Sequence, residues 1–245
     1  MRASVPVVGG VIAAMTTMVM TAGCGESDAG TPSASQSEVV ESAGTQAPAA
    51  TVPAKDLVLG KADLPAGYQV MPIPPNQMQQ SADNMLDSTK GATISPAECA
   101  PPKTVPDRMD VSQMGMLVAV KGSTTLSETV MPRHGDMSDM RESMTGKCAK
   151  VTASFTSGEV AGARSTIVNS PVELPDTKAD DVFAVKQTST STVNGREVTA
   201  TSMMAWAQVG GYSVAVTSGG LLGGPDTEVF SRMLVTAVDK VAAAG

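Results

Sequence analysis

The chain has 245 residues, a formal net charge of −7, 42% apolar and only 2% aromatic residues, 17 methionines, three cysteines and one histidine. The acidic balance and the scarcity of aromatics argue against nucleic-acid binding, which needs basic surface and stacking platforms. The length permits one domain or two, and the apolar content suffices for a core.

Residues 1–24 read MRASVPVVGGVIAAMTTMVMTAGC. Arg2 supplies a basic start, residues 5–20 form an uncharged apolar run, and small residues follow. This is the layout of an export signal, not of a folded element. Thr21-Ala22-Gly23-Cys24 resembles a bacterial lipobox, with Thr21 where the pattern usually has Leu. The resemblance implies removal of residues 1–23 and attachment of lipid, including palmitate-type chains, to Cys24. The protein is then expected on the outer face of the cell membrane, held there by that lipid.

Residues 24–54 are dominated by Ala, Ser, Thr, Gly and Pro, with Glu26, Asp28, Glu38 and Glu41 as the only charges. Such a segment cannot bury enough apolar surface to offset its ordering entropy. It is expected to be a disordered tether, whose thirty residues span roughly 30 Å root-mean-square. Residues 55–245 are expected to form a single domain. They carry 16 basic and 20 acidic side chains and no internal repeat.

Within the body, residues 77–86 read as a helix. Cys99 and Cys148 are the cysteines left once Cys24 carries lipid, and an even number in an exported chain implies a disulfide. A loop of about 50 residues closed in this way stabilises by roughly 4 kcal/mol in the chain-entropy view. Residues 116–121 read as a strand and residues 136–147 as a second helix. His134, Met137, Met140 and Met144 recur at helical spacing, with Met131, Met109, Met114 and Met116 nearby in sequence. Thioether and imidazole suit Cu(I), so a copper-handling face is one alternative. Plain core packing is the other, because methionine fills irregular cores readily.

Further strands are expected over residues 150–156, 159–168, 181–193, 196–209 and 212–218. Asn194-Gly195 between β-branched runs is a strong hairpin signal, since a two-residue turn needs φ > 0. Gly210-Gly211 marks the next turn and completes a three-stranded antiparallel meander. Trp206 and Tyr212 flank that turn. They read as sheet packing, with the walls of a ligand groove as the alternative. Residues 219–224 read as a Gly-rich loop before a helix at 227–243, whose residues Val229, Phe230, Met233, Leu234, Ala237, Val238 and Val241 make one apolar stripe. The expected class is α+β, an antiparallel sheet with helices on one face and a C-terminal amphipathic helix.

No catalytic residue is assigned. Ser213 lies inside a β-branched run, without the strand-turn-helix geometry of a nucleophile elbow. Asp180 and Asp181 are adjacent and point to opposite faces of a strand. The Gly-rich loop lacks the Lys-Ser/Thr of a phosphate loop, although helix amides there could attract an anion.

Ala62-Asp63-Leu64-Pro65-Ala66-Gly67-Tyr68 is followed by Ser95-Pro96-Ala97-Glu98-Cys99-Ala100-Pro101, a second cysteine some fifty residues on, several strands and a final helix. This order resembles mycobacterial and related actinobacterial lipoproteins of a domain-of-unknown-function family. More distantly, it is similar to the extracellular sensor domain of PknH-type Ser/Thr kinases. The resemblance spans roughly residues 57–243. It implies an antiparallel sheet with helices around a cleft. Those sensor domains carry two disulfides, whereas only Cys99 and Cys148 are available here. It brings no catalytic residue and no kinase domain.

The expected function is therefore a lipid-anchored envelope domain that binds an apolar ligand or an envelope protein. No chemistry, no cofactor and no nucleic-acid partner are expected. An envelope enzyme with an unrecognised site, or Met/His copper handling, is the alternative.

Overall fold

The computed structural model describes residues 50–100, 109–156, 161–193, 195–220 and 224–244. The signal, Cys24 and nearly all of the tether lie outside these residues, as do Asn194 and the start of the expected strand at 159. In chain order the elements are β1 (Gln69–Val70), α1 (Pro75–Lys90), β2 (Ala92–Ser95), β3 (Gly115–Lys121), β4 (Thr124–Pro132), α2 (Ser138–Met144), β5 (Lys150–Phe155), β6 (Arg164–Pro171), β7 (Asp181–Val193), β8 (Arg196–Val209), β9 (Tyr212–Gly220) and α3 (Thr227–Ala242). All nine strands join one antiparallel sheet in the order β1-β3-β4-β9-β8-β7-β6-β5-β2. The meander β7-β8-β9 is its centre. Gly195, at φ 74°, is the part of the expected Asn-Gly turn that is described.

Side chains alternate across a strand, so the register sorts the centre of the sheet into two faces. One carries Ala184, Met203, Ala205, Ala207, Val214 and Val216, and α3 packs on it through Phe230, Met233, Leu234, Ala237, Val238 and Val241. The other carries Phe183, Val185, Met204, Trp206 and Ala215, against which Met137, Met140 and Met144 pack. The α+β class, the antiparallel sheet and the C-terminal helix are as expected. The placement of helices on a single face is corrected: β7, β8 and β9 are apolar on both faces, so each face needs a cover. The apolar surface of α2 supplies the second one.

The remaining departures have local causes. α1 starts earlier than expected because Pro75 sits at its first position, where a fixed φ and a missing N–H cost nothing. α2 is shorter than expected: the Asp136 carboxylate accepts from Ser138 N at 2.8 Å, and Gly146 turns the chain at φ 55°. β6 begins at Arg164 because a tight turn with Gly162 at φ 83° precedes it. Gly219 and Gly220 extend β9 rather than opening a loop. The sequence pattern missed β4 outright, since Ser and Thr dilute its alternation, and also the short β1 and β2. The Cys99–Cys148 disulfide is formed. It links the turn after β2 to the turn before β5, and these two strands pair at the sheet edge. No helix among the described residues is long and apolar enough to cross a membrane.

Candidate functional site

The two faces present different chemistry. On the α3 face a strap runs from residue 50 to the Asp63 turn, with Ala54, Leu57 and Leu59 buried in the core. Three side chains grip its backbone. The Tyr212 hydroxyl accepts from Val52 N at 2.6 Å and donates to Val52 O at 2.7 Å. Leu59 N donates to Glu128 Oε2 at 2.7 Å, and Lys240 Nζ donates to Val58 O at 2.6 Å. Lys240 also faces Asp63 at 3.5 Å. A Cβ at Gly115 would collide with the backbone of Ala54, so only glycine lets the strap lie this close. The packed body thus reaches back to Val52, before the expected start at residue 55.

Glu128 is fully buried, and its Oε1 has no partner among the described residues. Desolvation pushes its pKa up to about 7, against the opposing effects of the Leu59 N–H and Lys240; Asp63 adds to the rise. Sequence reasoning missed it with the rest of β4. The signal was a carboxylate between Leu126 and Val130 at alternating positions, on the face that those two bury.

On the α2 face lies a cleft of about 60 Å³, lined by Met131, His134, Met137, Met140, Trp206 and Gln208 among others. That volume holds a few water molecules and is far below the several hundred Å³ that a drug-sized or lipid ligand occupies. β4 ends at the cleft and delivers Met131. The loop to α2 delivers His134 and, at the N-cap, Met137, and α2 itself delivers Met140. β8 contributes Trp206 and Gln208 from the sheet.

The loop is held on both sides of His134. Arg133 N donates to Gly211 O at 2.8 Å, and Gln208 Nε2 donates to Gly135 O at 2.9 Å. Arg133 and Arg141 are turned to Asp180 and Asp181, at 3.3 and 2.6 Å. Asp136 and Asp139 also line the cleft. Hydrogen bonds from Ser138 hold the Asp136 carboxyl below its usual range, helped by Arg133 and Arg141. Trp206 is buried and stacks on Phe183 with ring centroids 5.0 Å apart, and its indole N–H has no partner among the described residues.

The sequence stripe His134, Met137, Met140 and Met144 is therefore divided. All three methionines of the stripe pack in the apolar layer beneath α2, but only Met137 and Met140 also line the cleft, as His134 does. Met131, close in sequence but off the stripe, takes the fourth place. Trp206 lines the cleft, while Tyr212 points to the opposite face and holds the strap. Ser213 lies at the cleft too, but within β9, and among the described residues no hydrogen bond joins it to His134. At the start of α3 the Asp226 carboxylate caps Val229 N at 3.0 Å, so an acidic side chain occupies the place considered for an anion.

No family model matches the chain. No curated protein matches it either. Among solved structures it is similar to an uncharacterized Mycobacterium smegmatis protein, the Rv0999 ortholog, at 18% identity over 74% of this chain and 93% of that one, with a TM-score of 0.45. It is also similar to the extracellular domain of PknH from Mycobacterium tuberculosis, at 15% identity over 80% of this chain and 98% of that one, with a TM-score of 0.43.

Proposed function

We propose that this protein is a cell-envelope lipoprotein, anchored by lipid on Cys24, whose body is a non-catalytic, sensor-like binding domain. The observation that carries this reading is the strap. Directly after the low-complexity tether, the chain is seated on the α3 face by Tyr212, Glu128 and Lys240. The cleft lies on the opposite face of the sheet. A tether that enters on one face leaves the other free to meet ligand or partner. The disulfide adds support, since such bridges persist in oxidising compartments outside the cytosol.

Detergent phase partitioning of the protein expressed in an actinobacterial host tests the anchor. The wild type is expected in the detergent phase, with a diacylglyceryl-modified Cys24 peptide by mass spectrometry. Cys24→Ser is expected in the aqueous phase. A wild type that partitions into water, or keeps residues 1–23, overturns the anchor.

A further inference from the structure

We propose that the cleft on the α2 face binds a soft monovalent cation of the Cu(I) class, held by the His134 imidazole and the thioethers of Met131, Met137 and Met140. This deepens the reading of the body as a binding domain by naming its ligand class, and it does not depend on the lipid.

The argument begins with donor type. Thioether sulfur is a soft, neutral ligand that favours Cu(I) over Zn(II) or Mg(II). Three of the lining residues supply one, and the single histidine of the chain supplies a nitrogen. These four come from three successive pieces of chain: the end of β4, the loop and α2. Packing alone accounts for Met144, which does not line the opening. Met137 and Met140 pack in the same layer, yet they also line the opening together with Met131 and the only imidazole.

Size agrees. About 60 Å³ is too little for a lipid and ample for a metal ion with its ligands drawn in. Methionine side chains are flexible, so the sulfurs can turn toward an ion without moving the backbone. The backbone itself is fixed where it matters, by Gln208 on Gly135 O and by Arg133 N on Gly211 O. Among the described residues His134 makes no hydrogen bond, which leaves its ring nitrogens free. Charge agrees as well. Asp136 and Asp139 line the opening, while the neighbouring Arg133 and Arg141 are drawn into ion pairs with Asp180 and Asp181. The local field therefore favours a cation.

Trp206 makes the test direct, because it is the one tryptophan of the chain and lies at the cleft. The full chain with Cys24→Ser, which removes the only thiol outside the disulfide, is titrated with Ag(I) as a redox-inert probe and with Cu(I) against a chromophoric Cu(I) chelator under anaerobic conditions. Expected are quenching of Trp206 emission that saturates at one equivalent, and withdrawal of Cu(I) from the chelator at submicromolar free metal. His134→Gln, Met137→Leu and Met140→Leu should each weaken binding about tenfold or more. Met144→Leu, an equally conservative change on the same helix, should leave it unchanged.

Absence of quenching, equal affinity for Zn(II), or equal weakening by Met144→Leu overturns the proposal. A protein that ignores both metals yet retains an envelope partner or apolar adduct in native mass spectrometry keeps the binding-domain reading and loses the metal.

Discussion

The two faces of the sheet are built from the same three central strands yet do different work. The α3 face carries a sixteen-residue helix with six buried side chains, closed further by the strap. The α2 face is covered at its centre by a seven-residue helix with one fully helical buried residue, Met144, and a cleft remains beside it. A long amphipathic helix can seal a sheet; a short one, held largely by the loop before it, leaves an opening. The main packing thus lies on the α3 face, while the α2 face keeps an opening and irregular, methionine-rich packing.

The largest expected effect breaks the stable face. Phe230 is completely buried in the α3 layer, and Phe230→Ala should cost about 4 kcal/mol in urea unfolding. A loss below about 1 kcal/mol would show that α3 is not the main stabilising element.

The next effect concerns Glu128, on the same face. Its folded pKa of about 7 lies above its ordinary value of 4.5, so the folded state binds the proton more tightly. The stabilising contribution is full below about pH 4.5 and is lost as the pH rises through about 7, to a total of about 3 kcal/mol. Urea midpoints from pH 4 to 8 should fall with rising pH in the wild type. They should fall much less in Glu128→Gln, which keeps an acceptor for Leu59 N without the charge. Identical slopes in the two proteins would remove Glu128 as the cause.

The smallest effect is on the open face. Met144→Ala should cost about 2 kcal/mol, at the low end for a buried methionine, because its layer is thin and next to a cleft. Trp206 emission should shift to the red as water reaches the indole. A cost matching that of Phe230→Ala would erase the contrast between the faces.

Much of this arrangement was legible in advance. The apolar stripe of α3 has a period near 3.6, and the meander combines β-branched runs with Gly turns, so both depend on neighbours in sequence. The pairing of Cys99 with Cys148 followed from counting. The site was only half legible. His134, Met137 and Met140 stood out by spacing, but the same spacing included Met144 and omitted Met131. Spacing places residues on one side of a helix without saying whether that side meets a sheet or an opening. Glu128 was not legible because β4 was not: its Ser and Thr residues hide the alternation that its neighbours β3 and β9 enforce.

By itself the sequence determined the α+β class, the central meander, the final helix and the partner of each body cysteine. These rest on local periodicity, turn chemistry and the number of thiols. Only the tertiary structure decided that helices cover both faces, that Glu128 is buried under the strap, and that Met131 rather than Met144 joins His134. The last two depend on pairing β4 with β9, whose partnered residues lie 80 to 96 positions apart in the chain. Local pattern carries no information about such a contact, whereas side-chain direction is settled the moment that register forms.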